Sequence, residues 1–198
     1  MAWYEWLGSM VGSAAMATFI ALYYGHHEKQ KEEARRKRFS LLFVIAALET
    51  YAFECYRVLQ EYHGQRNRIK SEQGSLLEES WKATPTFSLP DKDVRWETLD
   101  PKLCNRVLGF SIYTKTVREH VGSSAATWVM NRSEGDTIRL WMGAIGWVGT
   151  KALTIAIDLR KELGLPTPIS FDVREELEHC GKAYAGHMHS IGLDEVDI

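Results

Sequence analysis

Cysteine and proline are both scarce in this chain, which has three cysteines and five prolines in 198 residues. So little proline excludes a collagen-like or proline-rich low-complexity chain, and a hydrophobic content of 45% argues against extensive disorder. Cys55, Cys104 and Cys180 are odd in number and far apart, which disfavours a zinc clip or a redox dithiol. They are typical of small buried hydrophobic residues in a protein of a reducing compartment.

Net charge is almost absent as well, since 24 basic residues face 26 acidic ones and the balance of −2 gives no drive towards nucleic acid. That average conceals an asymmetry along the chain. Residues 26–38 hold six basic and three acidic residues, a local charge of +3, whereas residues 39–198 hold 18 basic and 22 acidic residues, a charge of −4. The six basic residues, called the basic segment below, are Lys29, Lys31, Arg35, Arg36, Lys37 and Arg38.

Charged residues are missing altogether from Trp6 to Tyr24, a run of 19 residues. As a helix that rises about 1.5 Å per residue, this run roughly crosses a ~30 Å hydrocarbon core, and aromatic residues at both ends suit the headgroup level. We therefore expect residues 1–25 to be a transmembrane anchor. A cleaved signal peptide is disfavoured because the basic residues follow the apolar run. The alternative is a buried core helix that opens a soluble protein.

The basic segment predicts the orientation of the anchor, because basic loops are retained on the cytoplasmic side of a membrane. We expect the N-terminus outside and the C-terminal domain in the cytoplasm. Residues 26–38 contain no glycine or proline and are expected to continue the first helix as a basic juxtamembrane helix. Whether the basic side chains contact anionic headgroups or only solvent stays open.

Small residues recur within the anchor, beginning with the Gly-x-x-x-Gly pair of Gly8 and Gly12. A helix face with little side-chain bulk lets a second backbone approach closely. The sequence therefore predicts self-association through Gly8, Gly12, Ser13 and Ala17, with chance as the alternative, since small residues are common in such helices. The expected partners are the lipid bilayer, a second copy of the chain and an unidentified protein, with no nucleic acid.

Residues 39–181 are expected to form an all-α cytoplasmic domain, an antiparallel bundle of three to four helices. A helix is predicted over residues 39–63, where a narrow polar stripe runs along an otherwise apolar surface. The alternative makes residues 39–59 a second transmembrane helix with the later domain outside. Burying each acidic group near the centre of that helix in the membrane costs about 2.5–3.5 kcal/mol. Residues 64–98 are expected to be a long connection that packs partly back over the helices. The stripe consists of Thr50, Glu54, Arg57 and Glu61.

Two later segments have sustained apolar stripes at steps of three and four residues, which predict an antiparallel helical hairpin. Asp100 is a suitable N-cap with Pro101 in the first helical position, and Gly164 followed by Pro166 is a suitable end. Residues 39–63 are the expected third helix of this core. The first stripe holds Leu103, Val107, Phe110, Thr114, Val117, Val121, Ser124 and Trp128, and the second Ile138, Trp141, Ile145, Val148, Ala152, Ile155 and Leu159.

Glycines recur every third residue in the second helix of the hairpin, at positions 143, 146 and 149. We interpret them as a close-packing seam, because a phosphate-binding loop needs a preceding strand. A membrane span over residues 138–157 is disfavoured by Arg139 and Lys151. A last short helix is expected from Ser170 or Asp172 to about Cys180, and residues 182–198 are expected to be a loose tail.

The groups that suggest chemistry are few. His179, Cys180, His187 and His189 are residue types that bind zinc, but adjacent residues point in different directions on a helix and no ligand pair repeats, so no metal site is expected. Nor is a cofactor expected. Acid–base catalysis by Glu49, Glu54 and His63 is the only enzymatic alternative, and an ion pair between Glu54 and Arg57 is the simpler interpretation. No catalytic residue is therefore assigned.

Two stretches, Trp96–Leu108 and Lys151–Pro166, resemble segments of bacterial single-pass membrane-anchored helical proteins without an assigned activity. The resemblance covers roughly residues 96–170 and implies a bacterial inner-membrane setting, but it implies no active site. Together the patterns predict a membrane-anchored binding or regulatory protein. A membrane-disrupting effector and a membrane-tethered enzyme with a site between helices are the alternatives.

Overall fold

The structure is a computed structural model that describes residues 2–69, 84–90, 94–131, 134–167 and 171–190. Within these ranges the side chains of residues 22–63, 84–90, 94–123, 139–167, 172–182 and 184 are described. The described part is all-helical and contains four α-helices, which confirms the expected all-α class. They are α1 (Ala2–Ile69), α2 (Pro101–Asn131), α3 (Glu134–Glu162) and α4 (Phe171–Ser190), with a 3₁₀ turn at Trp96–Thr98.

Helix α1 is a single uninterrupted helix of 68 residues. The prediction that residues 26–38 continue the first helix is confirmed, but the prediction of a separate helix over residues 39–63 is wrong. The predicted helix boundary at residue 39 lies where the sequence turns from charged to apolar. A change of polarity does not end a helix, and no glycine or proline occurs between His26 and His63 to do so.

The N-terminus of α2 has the expected cap. Asp100 Oδ1 accepts a hydrogen bond from the backbone N–H of Lys102 at 2.9 Å, and Pro101 is the first helical residue. A side-chain acceptor at this position satisfies one of the N–H groups that a helix start leaves unpaired, and proline has no such N–H to satisfy.

The C-terminus of α3 is closed by Gly164, which has a φ of +64° in the left-handed region. The N–H of Leu165 donates to the carbonyl of Arg160 at 2.9 Å, and the N–H of Gly164 donates to that of Lys161 at 3.1 Å. These two bonds form a Schellman motif, in which glycine adopts the left-handed conformation without a steric penalty. The predicted end of the helix is therefore confirmed.

One hydrophobic core involves all four helices. The apolar stripes predicted for α2 and α3 face it wherever their side chains are described, and the half-buried Leu103 packs against its edge. Helix α3 packs against α1, α2 and α4, and its tightest association is with α4. The fully buried residues at the centre are Leu48, Cys55 and Leu59 of α1, Val107 and Phe110 of α2, Ala152, Ala156 and Leu159 of α3, and Leu177 and Tyr184 of α4.

The glycine seam of α3 is confirmed, and its partner is α4. A Cβ atom added at Gly146 would lie 2.6 Å from the backbone nitrogen of Gly181, and one added at Gly149 would lie 2.7 Å from Leu177 Cδ2. Real Cβ atoms do not approach other atoms so closely. The glycines therefore let the two helices pack nearly backbone to backbone.

The described part of the connection before α2 packs back over the helices, as predicted. Phe87 is buried, and its ring lies edge-on to Phe110 and Tyr51 with centroids 5.0 and 5.5 Å apart. Ser40 Oγ accepts a hydrogen bond from the backbone N–H of Arg95 at 3.1 Å. This connection is thereby fixed to the middle of α1.

Helix α4 begins at Phe171, as expected from the preceding Ser170, but it does not end near Cys180. It continues to Ser190, so residues 182–190 are helical and not a loose tail, and residues 191–198 lie outside the described residues. Gly181 had suggested an end, yet its place is in the helix interior, where a Cβ atom would lie 3.0 Å from the backbone nitrogen of Trp147.

Candidate functional site

The N-terminal half of α1 projects from the folded part of the molecule. Every residue from Leu22 to Phe39 is exposed, whereas Ser40 and Leu41 are buried. We call residues 22–39 the stalk, and at 1.5 Å per residue it is about 27 Å long. Because α1 is continuous, the stalk connects residues 2–21 to the core through one helix. Large apolar side chains are exposed at the far end, with Leu22 at 67% and Tyr24 at 65%.

The basic segment lies entirely on the stalk, and all six side chains are exposed. Arg36 pairs with Glu32 one turn earlier, and the Arg35 guanidinium lies 5.7 Å from the centroid of the Phe39 ring. Such exposed pairs are weak, so the positive charge stays available to an anionic surface. Gly8, Gly12, Ser13 and Ala17 belong to α1, but their side chains lie outside the described residues.

Among the residues whose side chains are described, two helical segments are long and apolar enough to cross a membrane by length and composition, Leu22–His63 and Arg139–Glu162. The most apolar part of the second is 67% buried inside the protein, as expected of a core helix, against 44% for the first. A core helix passes the same test, so these two segments are only weak evidence for a membrane. The first segment begins at Leu22, the first residue whose side chain is described, and includes the last three residues of the run Trp6–Tyr24.

An apolar row continues beyond the stalk on the outer face of α1. The steps between its members, three, one, three and seven residues, place them within about 100° of one face. The same face becomes polar further along, where the predicted stripe from Thr50 to Glu61 is exposed throughout. Arg57 pairs with Glu61 at 2.7 Å, so its partner is not the predicted Glu54. The exposed row consists of Phe39, Leu42, Phe43, Ala46 and Phe53.

The three residues considered for acid–base catalysis have separate environments. Glu49 forms a two-pronged ion pair with Arg160 of α3, Glu54 is exposed, and His63 contacts Glu176 of α4. Glu49 and His63 are 14 residues apart on one helix, which corresponds to about 21 Å along its axis. The interior cavity beside Tyr51 measures about 20 Å³, which is room for about one water molecule.

A polar groove of about 370 Å³ lies between α1 and α4. Four carboxylates and two basic groups line it, together with Tyr56 and Gln60 of α1, so its charge is predominantly negative. All four carboxylates and both basic groups come from the first three turns of α4, whose first turn contains Asp172. These six residues are Asp172, Glu175, Glu176, Glu178, His179 and Lys182.

Next to this groove, His63 of α1 meets Glu176 and Cys180 of α4. His63 Nε2 lies 3.1 Å from Glu176 Oε1, and Cys180 Sγ lies 3.8 Å from the same oxygen. Burial, followed by the Glu176 carboxylate, raises the pKa of the Cys180 thiol to about 11. The thiol is therefore protonated at neutral pH as long as no ligand is bound to the three groups.

The sequence patterns did not bring these three residues together. The sequence suggests acid–base catalysis by His63 together with Glu49 and Glu54, and zinc binding by Cys180 together with neighbouring histidines. The four-residue spacing of Glu176 and Cys180 on one helix face was the only signal in the sequence, and their contact with α1 depends on tertiary packing. The side chains of His187 and His189 lie outside the described residues.

Comparison with known proteins finds no matching family model, no matching curated protein and no matching solved structure.

Proposed function

We propose that the chain is a single-pass membrane-anchored protein whose helical domain acts as a binding or regulatory module. The observation that carries this proposal is the single helix α1, in which an exposed stalk continues directly into a core helix. Its anchor is residues 1–25, and its domain lies on the cytoplasmic side of a bacterial inner membrane.

The stalk supports the anchor because exposed Leu22, Tyr23 and Tyr24 find apolar and headgroup surroundings at a membrane boundary. They are the last residues of the uncharged run, and the basic segment begins five residues later. Basic side chains near a surface are attracted to anionic lipid by roughly 1 kcal/mol each. Their position on the domain side of the anchor favours retention of the domain in the cytoplasm.

The apolar row on α1 supports a binding role. Phe39, Phe43 and Phe53 are exposed by 51%, 44% and 56%, and a contiguous row of this kind on a folded surface is typical of an interaction site. The row begins at the base of the stalk, so a partner bound there would lie about 21 Å along α1 from the end of the proposed anchor. Self-association through Gly8, Gly12, Ser13 and Ala17 belongs to the same proposal and is supported by the small-residue pattern alone.

Membrane fractionation with charge insertion tests the anchor. Replacing Ala14 and Ala17 with arginine places two charges within the proposed span, and inserting each of them in the membrane costs about 2.5–3.5 kcal/mol. The matched control replaces Gln30 and Ala34, which adds the same two arginines to the exposed stalk.

We expect the unmodified chain and the stalk variant to stay in membranes after an alkaline wash, and the anchor variant to be released. In the same membranes, chemical crosslinking should give dimers that Gly12→Leu removes. A soluble unmodified chain, or equal retention of both arginine variants, would contradict the anchor, and crosslinking unaffected by Gly12→Leu would contradict the self-association face.

A further inference from the structure

Three side chains with different donor atoms converge where α4 crosses the distal part of α1. The imidazole Nε2 of His63, a carboxylate oxygen of Glu176 and the Sγ of Cys180 all lie within 4.8 Å of one another. Nitrogen, oxygen and sulfur donors together are the ligands of borderline-soft divalent ions, of which Zn²⁺ is the typical case.

The separations are close to those that a tetrahedral ion imposes. With bonds of about 2.0–2.3 Å and tetrahedral angles, ligand atoms lie roughly 3.3–3.6 Å apart. Two of the three separations are 3.1 and 3.8 Å, from Glu176 Oε1 to His63 Nε2 and to Cys180 Sγ. The third, from His63 to Cys180, is at most 4.8 Å, so an ion would have to draw these two groups together by up to about 1 Å.

The backbone arrangement suits a metal site as well. Glu176 and Cys180 are four residues apart on α4, so both project from one face of the helix. Metal-binding helices use this spacing because it aims two ligands at one ion. His63 comes from a different helix, and an ion at this point would join α4 to α1, whereas α4 otherwise packs chiefly on α3.

The electrostatic surroundings favour a cation. Glu176 also lines the negatively charged groove, and Glu175 and Glu178 lie on the same part of α4. The carboxylate and thiolate would balance the two charges of the ion, with a neutral imidazole as third ligand. Two of the three ligand residues are only partly exposed, and a fourth position is left for water or a substrate.

We propose that His63, Glu176 and Cys180 form a binding site for one divalent transition-metal ion of the Zn²⁺ type. On binding, the Cys180 thiol releases its proton to solvent and its sulfur forms the metal bond, while His63 binds through Nε2 and Glu176 through one oxygen. The site is independent of the membrane anchor, and its presence neither requires nor excludes the proposed function.

The test uses the full chain purified in detergent, stripped of metal with a chelator and titrated with Zn²⁺ in competition with a chromogenic chelator. Co²⁺ serves as a spectroscopic probe, because a cysteine ligand gives a sulfur-to-cobalt charge-transfer band. The variants are His63→Gln, Glu176→Gln and Cys180→Ser. Glu54→Gln, an exposed carboxylate of α1 outside the groove, and Cys104→Ser, another half-buried thiol, are the matched controls.

We expect one Zn²⁺ per chain, and affinity reduced at least about tenfold by each ligand variant but by less than about twofold in each control. Cys180→Ser should abolish the charge-transfer band, and Zn²⁺ should raise the melting temperature of the unmodified chain but not of His63→Gln. Because His63 is exposed, that variant keeps its fold and its result stands even where another variant unfolds.

A second set of variants separates this site from the cluster formed by neighbouring histidines. Cys180 belongs to both groups, so the deciding comparison is His63→Gln against the double variant His187→Gln and His189→Gln. The proposal predicts that only His63→Gln weakens Zn²⁺ binding. Absence of Zn²⁺ binding by the unmodified chain, or dependence on His187 and His189 without dependence on His63, would overturn it.

Discussion

Replacing Gly146 with alanine tests the close packing of α3 on α4. The added Cβ atom would lie 2.6 Å from Gly181 N, 2.7 Å from Cys180 Cβ and 2.8 Å from Leu177 O. Ordinary contacts begin near 3.4 Å, so α4 has to move away by nearly 1 Å. Two of these atoms belong to the backbone and cannot rotate aside. Overpacking of this kind costs about 1–3 kcal/mol.

Alanine also gains helix propensity over glycine, by about 1 kcal/mol, which offsets part of that loss. We therefore expect Gly146→Ala to lower the free energy of unfolding by up to about 2 kcal/mol. Gly109→Ala is the matched control, since it lies inside α2 with nothing within 4 Å of an added Cβ, and it should stabilise the chain by about 0.5–1 kcal/mol. Urea unfolding followed by circular dichroism measures both, and stabilisation by Gly146→Ala would refute the close approach.

Two further predictions concern contacts between helices. Glu49 and Arg160 each have 18% of the side chain exposed, and a double-mutant cycle on this pair should give a coupling energy of about 1 kcal/mol or more. The exposed pair of Arg57 and Glu61 should give only about 0.3–0.5 kcal/mol. Equal coupling energies for the two pairs would contradict the structure. In metal-free protein, alkylation of Cys180 by iodoacetamide should accelerate as the pH rises towards 11, because the thiolate forms only there. At pH 8 the urea-unfolded chain, with its thiol near the ordinary pKa of 9.0, should react roughly a hundredfold faster, and a fast reaction in the folded chain would rule out the buried thiol.

Local chemistry could be predicted from the sequence, and the structure bears it out at particular residues. The Asp100 cap and the Gly164 end depend on a few neighbouring residues, and the stripes of α2 and α3 depend on a three-to-four-residue period. The seam at Gly146 was predictable because glycine inside a helix is unfavourable unless close packing compensates for it.

Two predicted helix ends are wrong for a common reason, because neither a change of polarity nor a single glycine is enough to end a helix. Phe39 follows a charged segment but continues the same helix, and Gly181 lies at a helix crossing inside α4. The contact of His63 with Glu176 could not be predicted from the sequence, for a different reason. It joins residues 113 positions apart, and only the packing of α4 against α1 brings them to 3.1 Å.

The most direct test of the proposed membrane anchor is the labelling of single cysteines in spheroplasts with a membrane-impermeant maleimide. In a background of Cys55→Ala, Cys104→Ser and Cys180→Ser, one variant carries Glu5→Cys just before the uncharged run Trp6–Tyr24 and another carries Glu32→Cys on the exposed stalk. The two positions are 27 residues apart, about 40 Å along one helix, so they fall on opposite sides of a bilayer if the helix crosses it.

If α1 spans the membrane with its N-terminus outside, Glu5→Cys is labelled in intact spheroplasts and Glu32→Cys is labelled only after the membrane is opened with detergent. Labelling of Glu32→Cys in intact spheroplasts, or protection of both cysteines, would contradict the proposed anchor and its orientation.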